Sequence, residues 1–321
     1  IYQEYVESVV AINSESTYTN LFGQTAVYPS SGTGFIITED GYILTNNHVV
    51  EDSSSISVAL NDGETYQAQI IGTDPNNDVA LIKIDATGLS PVNIGDSDQI
   101  MVGEDVAVIG NPLGELTNTL TTGVVSATDR LINIDGTPIN MFQIDAAVNA
   151  GNSGGPVFDA TGRVIGIVSA KYADSEIEGL GFAIPINDAM DIAQQLLEDG
   201  YVSGYPTFNI QAGTMDSTYA AYYDVPVGAY VTEVTANGAG SKAGLQVGDI
   251  ITRIDDTEIT SREDLIEAKL KYSAGDTVKL VVYRNGEYLT LSLTFDDENT
   301  QIQEPVQSIP YSNGGFPSGG M

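Results

Sequence analysis

Asn149-Ala150-Gly151-Asn152-Ser153-Gly154-Gly155-Pro156 sets one serine among three glycines, so the backbone here is shaped before the side chain is used. Glycine reaches positive φ and lets other backbone come close. A sharp turn built from it can aim successive N–H groups at one point, where a developing oxyanion meets donors already in place. Ser153 is the candidate nucleophile beside them. Gly, Asn, Ser and Pro are also ordinary turn residues, and the octet alone leaves both readings open.

Residues outside the octet bear on the choice. The chain has a single histidine, His48, within Thr45-Asn46-Asn47-His48-Val49-Val50, and a lone histidine is more often a satisfied structural residue than a catalyst. Asp78, within Asp74-Pro75-Asn76-Asn77-Asp78-Val79-Ala80-Leu81-Ile82-Lys83-Ile84, reads by itself as a turn residue. Taken together the three supply base, orienting carboxylate and nucleophile in the order His, Asp, Ser used by chymotrypsin-like serine proteases. Gly151, Ser153 and Gly155 also satisfy the Gly-x-Ser-x-Gly elbow of α/β-hydrolases, but that fold needs its histidine after the serine. None follows Ser153, and residues 157–168 read as two strands around a turn rather than as a helix.

The three motifs resemble the HtrA/Deg family of envelope proteases, and the likeness runs from about Val6 to Phe295. It implies peptide-bond hydrolysis by acyl transfer. His48 would act as base, Asp78 as its orienter and Ser153 as nucleophile, with the Gly151-Asn152-Ser153 stretch as an oxyanion hole whose donors are the Gly151 and Ser153 N–H groups. No metal or cofactor enters that chemistry. The resemblance further implies unfolded or damaged extracytoplasmic proteins as substrates, in the bacterial cell envelope, periplasm or cell-surface space, cut after small or medium aliphatic residues. Val148 and Ala183 are the candidates for lining that pocket, and both also suit an ordinary core. Loops in this family can hold the oxyanion hole collapsed until a peptide or oligomerisation rearranges them. A competing reading of another class is a protease-inactive peptide-binding scaffold or chaperone, against which the presence of all of His48, Asp78 and Ser153 speaks.

Length and composition agree with this frame. The 321 residues suggest two domains, 42% hydrophobic content is that of a globular chain, and with no cysteine there is neither a disulfide framework nor a thiolate metal site. No run of about 18 apolar residues occurs, and the chain starts at Ile1 without a basic leader, so a membrane anchor is expected only as a missing N-terminal piece. There are 44 acidic and 11 basic residues, a net charge of −33. A field of that sign repels phosphate backbones and anionic lipid, which excludes nucleic acid as a partner. Its plainest use is solubility. Tyr2, Tyr5, Tyr18, Phe22 and Tyr28 make the opening segment aromatic. The family resemblance implies a homotrimer or higher homo-oligomer built with such residues, while docking onto the parent domain is the simpler reading.

From Gly34 onwards short apolar runs alternate with turn residues, and Asn61-Asp62-Gly63 is a hairpin signal. Many short strands predict a mainly β fold, which the resemblance narrows to a chymotrypsin-like double β-barrel protease domain over residues 1–205. Asn187 is expected to cap a helix ending at Gly200, with Ile192, Ala193, Leu196 and Leu197 on one apolar face. Residues 206–296, with Gly248-Asp249-Ile250-Ile251 and a helix over about 261–272, resemble a small α+β PDZ domain. Such a domain binds peptide C-termini by adding a strand beside a helix. Its carboxylate loop falls on Thr207-Phe208-Asn209-Ile210. Asn209 stands where the family has glycine. If its side chain lies beside the carboxylate donors, binding is weak; if Asn209 takes the left-handed conformation, the loop stays open. Residues 297–321, rich in Gly, Ser and Pro, are expected to form a flexible tail.

Overall fold

A computed structural model describes residues 1–19, 25–111, 118–134, 137–170, 179–299 and 305–308. The chain divides into two compact units, Ile1–Val202 and Ser203–Met321.

In the first unit a short helix α1 (Tyr2–Tyr5) precedes six strands, β1 (Val9–Thr19), β2 (Thr25–Ile36), β3 (Tyr42–Thr45), β4 (Ser53–Ala59), β5 (Thr65–Asp74) and β6 (Val79–Ile84). They close into an antiparallel barrel in the order β1-β2-β3-β6-β5-β4. Alternate residues of β6, Ala80, Ile82 and Ile84, point into one apolar core with Val10, Ile12, Ile43, Ile56 and Val58, as the period of two requires. The predicted hairpin forms: Gly63 has φ 92° and Leu60 N–H donates to the Glu64 carbonyl at 2.9 Å. A one-turn helix α2 (Asn47–Val50) leaves the end of β3.

Seven further strands follow, β7 (Asn93–Ile94), β8 (Asp105–Gly110), β9 (Thr119–Ile134), β10 (Thr137–Ile144), β11 (Pro156–Asp159), β12 (Arg163–Ser169) and β13 (Gly181–Pro185). Six of them run β11-β8-β9-β10-β13-β12 and close through a β11–β12 pairing, with β7 parallel to β12 outside the ring. The second core holds Val108, Val125, Phe142, Ile144, Val157, Ile165 and Val168. Helix α3 (Ile186–Asp199) then packs on β5 and β6 of the first barrel and β12 of the second.

Two details of α3 depart from expectation. Its N-cap is Pro185, and Asn187 lies inside the first turn. The Asn187 side chain is taken by another element: its Oδ1 accepts the Ser97 N–H at 3.3 Å and its Nδ2 donates to Asp96 at 2.8 Å. Leu197 is 47% exposed, while Ile186, Ala189, Ile192, Ala193 and Leu196 form the buried face. Gly200 does end the helix, at φ 79° with its N–H on the Leu196 carbonyl.

Among the opening aromatics, Tyr5 docks onto its own chain. It is buried, stacks on Phe158 with ring centroids 5.2 Å apart, and its hydroxyl accepts from Asn93 Nδ2 at 2.6 Å. Tyr2 and Tyr28 are exposed; Phe22 and the Tyr18 side chain lie outside the described residues.

The second unit contains β14 (Pro206–Thr207), β15 (Ile210–Met215), α4 (Ser217–Tyr223), β16 (Gly228–Thr235), α5 (Ala239–Ala243), β17 (Ile250–Ile254), β18 (Thr257–Glu258), α6 (Arg262–Lys269), β19 (Thr277–Arg284), β20 (Glu287–Thr294), β21 (Asp296–Asp297) and β22 (Pro305–Ser308). Its main sheet runs β15-β16-β17-β19-β20, leaving β15 as an edge strand beside α6. Ser261 caps α6 by accepting the Asp264 N–H at 3.0 Å, and the helix ends at Lys269, three residues short of the expected end. Phe208, Val231, Leu245, Ile251, Leu280, Leu293 and Phe295 form the core. Arg284 forks onto buried Asp249 at 2.6 and 2.7 Å, a pairing that raises the guanidinium pKa above its ordinary value.

The expected flexible tail needs correction in part. Asp296–Asp297 pairs with β14, and Pro305–Ser308 pairs with β16. Strand β17 covers β16 only at Ala229 and Tyr230, so the backbone of 233–235 keeps an open edge that β22 can satisfy. Residues 300–304 and 309–321 lie outside the described residues.

Candidate active site

His48 is delivered by α2 and Asp78 by the turn between β5 and β6. That turn is shaped by its own first residue: buried Asp74 accepts the Asn76 N–H at 3.1 Å and Asn77 Nδ2 at 2.8 Å. Asp78 has φ 55°, a left-handed conformation that Asp tolerates better than most residues. Its backbone is tied to the histidine segment, because the Asp78 carbonyl accepts Asn46 Nδ2 at 2.8 Å and the Asn47 N–H at 3.2 Å.

The side chains meet closely. His48 Nδ1 lies 2.9 and 2.8 Å from the two carboxylate oxygens of Asp78, and the His48 backbone N–H donates to Oδ1 at 3.0 Å. A carboxylate on Nδ1 fixes the tautomer that carries its proton there, which leaves Nε2 free to accept one. Asp78 is 4% exposed and takes a further donor, the Ser169 hydroxyl at 3.3 Å.

Ser153 comes from the second barrel and is 5% exposed. The next residue of the strand that supplies Ser169 reaches it: Ala170 N–H donates to Ser153 Oγ at 3.0 Å. Neighbouring residues therefore touch Asp78 and Ser153, which brings the serine to the His48–Asp78 pair. Among the described residues no hydrogen bond joins Ser153 to His48, and Ser153 Oγ accepts the Ala170 N–H.

The turn before the serine has a defined form. Asn152 N–H donates to the Asn149 carbonyl at 3.0 Å, and Gly151 has φ 97°, the signature of a type II turn with glycine at its third position. Gly154, at φ 83°, has no room for a side chain, since a Cβ there would lie 2.1 Å from the Thr33 carbonyl oxygen and 2.2 Å from Thr45 Oγ1. Among the described residues the Gly151 and Ser153 N–H groups have no acceptor. Asn152, the middle residue of the stretch, has its N–H on the Asn149 carbonyl and its side chain buried against Gly110.

The pocket candidates separate. Val148 is half-buried, with Cγ2 beside Gly181, whereas Ala183 is fully buried in the second barrel's core. Ala183 therefore packs, and only Val148 has surface to offer. In the second unit the side chains of Thr207 and Asn209 shape the loop locally. Asn209 N–H donates to Thr207 Oγ1 at 3.1 Å, and Asn209 itself has φ 51° with its Oδ1 accepting the Ala239 N–H at 3.1 Å. The side chain is thus turned to the start of α5, and the left-handed alternative is the one realised. Phe208 anchors the loop in the core against Phe295, 4.9 Å between ring centroids, and Ile210 packs partly buried on the same core.

Sequence reasoning passed over Thr33, Asn111, Ser169 and Ala170. Each is a single residue in or just past a strand, with no motif to mark it.

Comparison with known proteins fits this geometry. A trypsin-like peptidase domain matches residues 32–167 and a PDZ domain matches residues 196–295. The solved structure of the HtrA-type protease AlgW with a decapeptide is 30% identical, covering 93% of this chain and 98% of that one with a TM-score of 0.65. The chain belongs to the HtrA family of serine proteases. A serine endoprotease from Yersinia pestis is similar too, with 31% identity, a TM-score of 0.62 and coverage of 92% of this chain and 96% of that one. A probable periplasmic DegP-like serine endoprotease from Pseudomonas putida is 44% identical over 267 residues, 83% of this chain and 55% of that protein. The Do-like serine protease HtrB of Bacillus subtilis is 38% identical over 273 residues, 80% of this chain and 59% of that protein. This HtrA chain spans a little over half the length of the curated relatives it matches.

Proposed function

We propose that the chain is a serine endopeptidase acting through His48, Asp78 and Ser153. The observation that carries the reading is the contact of His48 Nδ1 with both Asp78 oxygens at 2.8 and 2.9 Å. The Ser153 hydroxyl turns from the Ala170 N–H to His48 Nε2 and gives up its proton as Oγ attacks the scissile carbonyl. The Gly151 and Ser153 N–H groups stabilise the tetrahedral oxyanion, and its collapse transfers the proton from Nε2 to the leaving amine. Water then repeats the sequence on the acyl-enzyme and regenerates the serine.

Substrates on this reading are unfolded or damaged extracytoplasmic polypeptides, with Val148 favouring small or medium aliphatic residues at the cut. The edge strand β15 takes peptide C-termini, and the molecule works as a homotrimer or higher homo-oligomer outside the cytoplasm. Support comes from the family and from the open edge of β15 beside α6. The test is Ser153→Ala, which removes a small hydroxyl: cleavage of unfolded casein and labelling by a fluorophosphonate should both disappear, with a rate loss of several orders of magnitude, while the melting temperature holds. Undiminished cleavage by the folded variant removes the proposal.

A further inference from the structure

The turn that carries Ser153 is held from the opposite barrel by one side chain. Thr33 on β2 is fully buried. Its hydroxyl donates to the Gly151 carbonyl at 2.6 Å, 118 residues away. Its N–H donates to the Ser153 carbonyl at 2.8 Å, and its own carbonyl accepts the Thr45 hydroxyl at 2.7 Å. Asn111, just past β8 and also buried, fixes the direction of the hydroxyl: the Asn111 N–H donates to Thr33 Oγ1 at 3.0 Å. An oxygen receiving that donor sends its own proton to Gly151. Asn111 is itself pinned, with Nδ2 on the Val10 carbonyl at 3.2 Å and Oδ1 accepting the Asn118 N–H at 2.9 Å.

The two carbonyls that Thr33 holds belong to the two residues whose N–H groups are the candidate oxyanion donors. A carbonyl and the N–H that follows it lie in one rigid plane, so the Gly151 carbonyl and the Asn152 N–H move as a single plate. Thr33 grips one edge of that plate and the Asn149 carbonyl grips the other. The Gly151 N–H is joined to that plate through the two torsions of Gly151 itself, ψ and a φ of 97°. Moving the plate moves the donor.

The geometry points to Thr33 as a positioning residue for acyl transfer, setting the 151–153 turn so that the Gly151 and Ser153 N–H groups converge on the oxyanion. This rests on the peptidase reading and deepens it. Thr33 acts through the turn and touches no reacting atom. Convergence matters most when the oxyanion forms, so its loss lowers kcat and leaves KM almost unchanged. A threonine with a merely structural part would lower the melting temperature and leave the turnover of folded enzyme alone.

The experiment compares Thr33→Val, which keeps the shape and drops the hydroxyl, with Thr33→Ser, which keeps the hydroxyl. Melting temperature, kcat and KM on a peptide substrate are measured, together with inhibition by a peptide boronic acid whose tetrahedral adduct on Ser153 sets an oxygen among the same donors. Thr33→Val is expected to lose about 10- to 100-fold in kcat with KM within about threefold, the scale of a displacement of roughly an ångström. Boronate inhibition should weaken in parallel, and Thr33→Ser should stay within about threefold of wild type throughout. Thr33→Ala, which also removes the hydroxyl donor, carries the same expectation if the valine variant does not fold. A folded valine or alanine variant with wild-type kcat and boronate inhibition overturns the inference. So does a serine variant as slow as the valine one, since that places the effect in the methyl group. A wild type that cleaves no peptide and takes no fluorophosphonate sinks the peptidase reading itself, and the inference with it.

Discussion

Asp78 accepts the His48 N–H, faces His48 Nδ1 and receives the Ser169 hydroxyl, so its charge and its shape can be tested apart. Asp78→Asn preserves the shape and the left-handed backbone. It replaces one carboxylate oxygen by an NH2 group, a donor that pairs with an unprotonated Nδ1 and so drives the ring proton to Nε2. A histidine protonated there cannot take the Ser153 proton. The expected result is a fall of about 10⁴ in kcat at neutral pH, with a circular dichroism melt close to that of the wild type. A folded variant retaining a tenth of wild-type turnover would mean that Asp78 does not set the tautomer.

At the scale of elements, the proposed peptide site consists of the edge strand β15, helix α6 and the loop before them, and its sequence carries a warning at Asn209. The structure answers that the residue is left-handed and bonded to Ala239 N–H, so its side chain does not crowd the loop's N–H groups. A peptide ending in an apolar residue should bind, and its amidated twin should bind at least about tenfold more weakly, or about 1.4 kcal/mol. Asn209→Gly keeps the backbone and loses only the hydrogen bond to α5, so affinity should change little while the unit loses about 1 kcal/mol of stability. Equal titration curves for acid and amide would remove the carboxylate loop from the proposal. The same scale separates what was legible from what was not. Strand alternation, the Asn61-Asp62-Gly63 hairpin and the Gly200 cap are local, and they read correctly. Asn187 misled because a capping side chain is judged from its neighbours, whereas its partners, Asp96 and Ser97, lie about 90 residues away. Thr33 and Ser169 stayed silent for the same reason. Their hydroxyls find Gly151 and Asp78 only after two barrels have closed.

At the scale of the whole molecule the dominant quantity is charge, with 44 acidic residues against 11 basic ones. The first 202 residues carry 28 acids and 4 bases and the remainder 16 and 7, so each unit confronts its own excess of carboxylates. Folding brings those groups closer than they are in the open chain, and the repulsion opposes the compact state. Little of it is cancelled locally: Arg163, Lys242 and Arg284 pair with Asp159, Asp296 and Asp249, and most acids in the described residues have no cation within reach because so few cations exist. Added salt shortens the screening length from about 30 Å at 0.01 M to about 8 Å at 0.15 M, which weakens repulsion over the distances that separate surface carboxylates on a unit of this size. The melting temperature should therefore rise with sodium chloride, steeply below about 0.15 M and little above it, where the remaining interactions are shorter than the screening length. Hydrophobic salting-out predicts the opposite curvature, a small effect at first and a steady gain at high concentration. A scan from 0.01 to 1 M separates the two by shape, and a melting temperature that stays flat below about 0.15 M would show that the acidic excess is spread widely enough to leave folding unstrained.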